Sequence, residues 1–286
     1  MPSLIDIRRR VRSVKNTQQI TKAMKLVSAA KLRRAQDRAL AARPYAVMLR
    51  QILANVAEAA AQDPDAGAHP LLAVRPEQRI LLVVVTADSG LAGAFNSNLI
   101  KMAQAFANQH PNATLSFELI GKKGVNYFRR RYQNIAGTHI DMFRKVQFGD
   151  AERIANAIIG RFEVGEIDAV YLFTNEFKNA MTPALTSTRI LPIEVPKSST
   201  QVDYIYEQNP GKLLGSLLPR YVKMLVYRAF LESVAAEHAA RMTAMSAASS
   251  NAADVIDKLT LLMNRVRQAS ITREIIEIVS GAAALD

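Results

Sequence analysis

From Ser3 to Arg43 this chain has neither glycine nor proline, and Arg220–Ser280 runs for 61 residues without either. Two uninterrupted helical stretches at opposite ends constrain the fold more than any other feature. At 1.5 Å rise per residue, residues 3–57 span ~80 Å and residues 210–284 ~110 Å. The segment between them collapses to a radius of gyration of only ~14 Å. Helices of that length cannot wrap so small a body, so they are expected to cover each other and to enter a partner. The N-terminal stretch also holds most of the net charge. Met1–Arg43 contains twelve Lys or Arg against Asp6 and Asp37, which is +10 of a total of +12.

Leu4, Ile7, Val11 and Val14 repeat at coiled-coil spacing, and the apolar set then shifts to Ile20, Met24 and Val27. Ser3 is the expected N-cap, with Asp6 three positions on. Pro44 is expected to kink or end the helix, and Tyr45–Ala61 reads as helix again. At the other end Leu214, Leu217, Leu218, Tyr221, Val222 and Leu225 read as packing against the body. Ala- and Ser-rich residues 233–253 permit close helix approach. Val255, Leu259, Leu262, Val266 and Ala269 restore a seam. The final segment IIEIVSGAAALD is apolar on several sides and calls for an apolar sleeve.

The middle reads as α/β. RILLVVVTAD (79–88), TLSFELIG (114–121), AVYLFTNEF (169–177) and TSTRILPIEV (186–195) are strand patterns. Helical stretches at Gly93–Gln109, Lys123–Tyr132 and Asp150–Phe162 alternate with them. That alternation means a three-layer domain with a mostly parallel sheet. The domains are therefore 1–62 (N-terminal helix), 75–197 (central α/β domain) and 209–286 (C-terminal helix).

Chemistry is sparse. There is no Cys, hence no disulfide or thiolate metal site. No apolar run reaches membrane-spanning length. The turn SGLAGAFNSN (89–98) lies where phosphate-binding loops occur, but it matches neither GxxxxGK[ST] nor GxGxxG. His69, His110, His139 and His238 have no ligand spacing, and no GxSxG is present. Arg8, Arg9, Arg10, Arg12, Lys15, Lys22, Lys25, Lys31, Arg33 and Arg34 have almost no acids at helical pairing distance. The excess points to an acidic partner. A nucleic-acid-binding coiled-coil arm on an α/β body is the alternative, and a Rossmann-like enzyme with helical extensions is a further rival that lacks a motif.

Long strings resemble the gamma subunit of F-type ATP synthases, the rotating central stalk. IRRRVRSVKNTQQITKAMKLVSAAKLRRAQ (7–36) looks like the family's N-terminal signature, and RQASITREIIEIVSGAAAL (267–285) is similar to its C-terminal one. SGLAGAFNSN, GKKG (121–124), TNEFKNAM (174–181), DYIYEQNP (203–210), LLPRYVKMLVYRAFLES (217–233) and EHAARMTAMSAASSNA (237–252) resemble internal motifs. The usual Cys-Gly of the turn is Ala92-Gly93-Ala94 here, and Ser246 replaces a common charge. The resemblance implies an antiparallel coiled coil of the terminal helices within a hexamer of alpha and beta subunits. It also implies a central domain seated, with the epsilon subunit, on the c ring. It implies a chain without catalytic groups or cofactor, peripheral on the cytoplasmic face of a bacterial inner membrane. By the same carry-over Met24 and Lys25, Glu237 and Arg241, and Arg267, Gln268 and Thr272 face the hexamer. Tyr204, Tyr206 and Glu207 face the c ring and epsilon.

Overall fold

A computed structural model describes residues 3–61, 69–177, 184–195 and 208–283. The chain divides into two compact units, residues 1–28 with 241–286, and residues 29–240. Two long helices pass through both: α1 (Leu4–Ala61) and, at the far end, α5 (Pro210–Ala283). Between them lie β1 (Arg79–Val85), α2 (Phe95–Gln109), β2 (Thr114–Ile120), α3 (Lys122–Phe128), β3 (Ile135–His139), α4 (Phe148–Glu163), β4 (Ala169–Glu176) and β5 (Ala184–Leu191). Helix dominates the described residues, and their five-stranded sheet is mixed but largely parallel.

The sheet belongs to the second unit. Its order is β3-β2-β1-β4-β5, parallel except for the antiparallel β4–β5 pair. Ile80 through Val85 are fully buried on both faces, as a central parallel strand requires. Ile80, Leu82 and Val84 pack with Leu99, Ile100 and Ala103 of α2 and with Val125 and Phe128 of α3. Burying each of the larger side chains among these is worth about 1.5–3 kcal/mol. Right-handed crossovers put α2 and α3 on one face and α4 on the other. α4 turns Ile154, Ile158 and Phe162 inward.

Asp168 staples the two central strands at their start. It accepts from Arg79 Nη2 at 2.7 Å, from Arg79 Nε at 3.1 Å and from the Arg79 backbone N–H at 2.9 Å. The four strands expected from sequence are present. β3 was not expected: a five-residue edge strand with a central glycine has too little apolar alternation to stand out.

The helix ends follow local chemistry. Ser3 Oγ accepts the Asp6 N–H at 3.2 Å and donates to Asp6 Oδ2 at 2.8 Å, which caps α1 as expected. Asn209 Oδ1 accepts the Gly211 N–H at 2.8 Å, and Pro210 takes the first helical position, where no N–H is needed. Pro44 neither ends nor divides α1. It is exposed, and so is Leu40, whose carbonyl is the one a proline at 44 leaves without its helical donor. Water can satisfy a carbonyl on that side.

The inner face of α1 differs from the expected one. Ile20 is 60% exposed and Val27 55%. The shielded positions are instead Val14, Gln18, Thr21, Met24 and Ser28, continuing to Leu32 and Ala35. The spacing of three and four persists through the stretch, so the seam does not slip. Its side chains become polar. Thr21 Oγ1 donates to the Gln18 carbonyl at 3.0 Å and Ser28 Oγ to the Met24 carbonyl at 2.7 Å, so both hydroxyls can be buried without an outside partner. Within the first unit Gln18 Nε2 reaches the Ser249 carbonyl at 3.4 Å. On α5 the shielded set is Met245, Ser249, Ala252, Ile256, Leu259, Met263 and Val266. Leu259 and Val266 lie on the expected seam, whereas Val255, Leu262 and Ala269 face outward.

Candidate functional site

The four histidines sit in local packing or pairing contacts. The His69 ring accepts the Leu71 N–H at 3.2 Å, and burial pulls its pKa down against a smaller upward push from Glu163. His110 stacks on Phe106 at 4.2 Å. His139 pairs with the buried Glu118 at 2.5 Å. His238 is buried in α5. Among the described residues no group of three His, Asp or Glu could hold a metal. A concavity of about 300 Å³ includes Arg79, Arg161 and Glu166. Both arginines are already neutralised, by Asp168 and by Glu166. An apolar groove of about 450 Å³ between Tyr45, Phe148 and Tyr227 has Arg38 as its one charged lining group.

The turn after β1 is built by tertiary contacts. Asn96 Oδ1 accepts the Ala87 N–H at 2.9 Å, Asp88 Oδ1 accepts the Lys122 N–H at 3.0 Å, and Ser89 Oγ donates to Glu237 Oε1 at 3.1 Å. Leu91 and Gly93 have φ of 62° and 54°. A carboxylate already bound to Ser89 is a poor neighbour for a phosphate. The expected Gly-rich turn is therefore present, with an acid of α5 at its mouth.

The surface that remains is on the helices. Arg8, Arg9, Arg10, Arg12, Lys15, Lys22, Lys25, Lys31, Arg33 and Arg34 are all exposed. Among the described residues none of them joins an ion pair, although the second unit has several. Like charges three and four apart, such as Arg8 and Arg12, repel along a helix by a few tenths of a kcal/mol each. Interleaved with them, Ile20, Leu26 and Val27 put apolar side chains into solvent. Sequence periodicity assigned Ile20 and Val27 to the core and so missed this outward apolar face. Its one sequence signal was an apolar set out of phase with the Leu4–Val14 seam.

The far end of α5 completes the surface. Arg267 through Ser280 are exposed on every side, including Ile271, Ile275, Ile276, Ile278 and Val279. Of the residues singled out from sequence, Lys25, Arg267, Gln268 and Thr272 are exposed, and Met24 and Arg241 are half-buried. The Thr272 hydroxyl donates to the Gln268 carbonyl at 2.9 Å. Glu237 is buried beside Ser89. Tyr204, Tyr206 and Glu207 lie outside the described residues. Leu91, 62% exposed at positive φ, was not singled out, because backbone conformation at a non-glycine leaves no mark in a sequence.

Comparison with known proteins is consistent along the whole chain. A family model described as ATP synthase matches residues 3–285. The ATP synthase gamma chain of Solibacter usitatus is 62% identical over 286 residues, covering 100% of both chains. That of Pelotomaculum thermopropionicum is 47% identical over 289 residues, again covering 100% of both. A chain from the central stalk and c ring of the Tetrahymena thermophila mitochondrial ATP synthase superposes with a TM-score of 0.62 at 25% identity, covering 80% of this chain and 99% of that one. A rotor chain of the Euglena gracilis mitochondrial enzyme shares the fold, with a TM-score of 0.66 at 18% identity over 94% of this chain and 98% of that one.

Proposed function

Since the chain belongs to the ATP synthase family, as a gamma chain of the central-stalk rotor, we propose that its two helices form the shaft that couples c-ring rotation to ATP synthesis and hydrolysis. The partners in this reading are a hexamer of alpha and beta subunits, the epsilon subunit and the c ring. ATP chemistry belongs to the beta subunits, and this chain supplies contacts that differ among their states, as coupling requires. Among the described residues no helix is long and apolar enough to cross a membrane. Its place is peripheral, on the cytoplasmic face of a bacterial inner membrane, with membrane contact only through the ring. Family membership supersedes the nucleic-acid arm.

One observation carries the reading. The last turns of α5 expose Ile271, Ile275, Ile276, Ile278 and Val279 around the helix, which is stable in water only inside an apolar sleeve. The cationic surface of α1 suits the bearing beside it. Exposed charge pairs are worth ~0–1 kcal/mol each, so acidic loops of a beta subunit attract such a collar without locking one orientation. Met24, Lys25, Arg267, Gln268 and Thr272 meet the hexamer in this reading. Tyr204, Tyr206 and Glu207 meet the ring and epsilon. The helices 1–62 and 209–286 act as shaft, and 75–197 as foot.

The test is reconstitution with alpha, beta and epsilon subunits on membranes that carry the c ring and the rest of the ion channel. The expected results are co-purification, ATP hydrolysis that depends on beta, and ion pumping only when this chain is present. Submicromolar ATP binding by the chain alone, or its failure to join the hexamer, overturns the reading.

A further inference from the structure

The sheet connections reverse direction between β1 and β4. β1 leads through α2 to β2 on one side, and β3 leads through α4 to β4 on the other. Doubly wound sheets take their ligands outside the carboxyl ends of the strands at such a reversal. Here α5 reaches that place. Its residues Glu232 through His238 are buried, and Glu237 Oε1 accepts from Ser89 Oγ in the turn after β1. The base of the turn is fixed by Asn96 and by the Lys122 N–H. Its outer part holds Leu91 at φ 62° with its side chain largely in solvent. A left-handed leucine costs on the order of 1 kcal/mol and persists only where its surroundings impose it. A buried carboxylate in turn requires donors, and the Ser89 hydroxyl is one of them.

We infer that Glu237 is a positioning residue: through Ser89 it locks the Ser89–Ala94 turn to α5, so that the Leu91 knob turns with the helix rather than riding loosely on the end of β1. This deepens the rotor reading and rests on it for the consequence. Torque on the knob then passes into α5 through a hydrogen bond to a buried charge instead of through a flexible loop.

Ser89→Ala, Glu237→Ala, the double variant and Glu237→Gln, each in the assembled complex, separate the possibilities. Amide exchange over residues 88–94 is expected to quicken roughly tenfold in both alanine variants, the equivalent of one hydrogen bond to a charged group. The double variant is expected to match the worse single, and Glu237→Gln to restore protection because its amide oxygen still accepts from Ser89. Ions pumped per ATP hydrolysed are expected to fall in the same order. Unchanged exchange in Glu237→Ala overturns the latch. So does a Glu237→Ala variant that uncouples while Ser89→Ala is silent in both readouts, since Glu237 would then act on a partner directly. If the chain joins no complex, the rotor reading fails, and exchange measured on the free chain still decides the latch.

Discussion

Gly121 sits at φ 88°, and a Cβ built there would lie 1.9 Å from the Thr86 carbonyl oxygen. Thr86 is the residue on which the β2–α3 turn hangs. Its hydroxyl donates to the Ile120 carbonyl at 2.9 Å and accepts the Gly124 N–H at 2.8 Å. Gly121→Ala is therefore expected to cost more than about 4 kcal/mol and to leave no folded second unit by near-ultraviolet circular dichroism. Gly160 is the opposite case. It is exposed inside α4, with nothing within 4 Å of its added Cβ. Gly160→Ala is expected to stabilise by about 1 kcal/mol, read as a higher urea midpoint. The Arg79 hydrogen bonds hold the Asp168 carboxyl below its ordinary pKa, against the opposing effect of burial. A depressed acid contributes stability above its unfolded pKa of about 3.9, and that contribution is lost as pH falls through the lower folded value. Asp168→Asn is expected to lower neutral-pH stability by about 2 kcal/mol and to flatten the stability profile below about pH 4. An unchanged acid limb would remove Asp168 from that account.

At the scale of elements, α1 inverts the usual relation between polarity and burial. Gln18, Thr21 and Ser28 face inward, whereas Ile20, Leu26 and Val27 face out. Hydroxyls that donate back to their own helix are cheap to bury, which frees apolar residues for a partner's surface. That is why the seam could be read from sequence over Leu4–Val14 but not over residues 18–28. Periodicity detects apolar faces, and it cannot say whether the chain or a partner covers them. The same reason misassigned Val255 and Leu262 on α5. The central strands were legible because both of their faces are buried by the chain itself. β3 was not, being a short edge with a glycine. Of the candidate site, the basic collar and the apolar end of α5 showed in the sequence, while the Ser89–Glu237 contact depends on residues nearly 150 positions apart. Val27→Ser is accordingly expected to leave stability within about 0.5 kcal/mol, whereas Ile7→Ala, at a fully buried position, is expected to cost about 2–5 kcal/mol. Met24→Lys adds a charge at a half-buried position among exposed Lys22 and Lys25. Normal subunit content in membranes is expected, with fewer ions pumped per ATP. Unchanged pumping would refute a bearing here, and loss of the complex would make Met24 a packing residue.

For the whole molecule, the decisive feature is that one compact unit is drawn from residues 1–28 and 241–286. A ribosome makes its two halves far apart in time. Roughly 210 residues separate them, and at about 5–20 residues per second the first segment waits some 10–40 seconds for the second. Residues 29–240 form the other compact unit and are expected to fold during that interval. The strongly cationic N-terminal segment meanwhile has no helix to pair with. Nascent chains halted with Ala240 outside the tunnel are expected to resist brief proteolysis across the sheet and to be cut within residues 4–28. Protection of both regions at that length would mean that α1 needs no late partner. The charge on that waiting segment then has a second value: mutual repulsion keeps it from collapsing onto other half-made chains before its partner helix emerges.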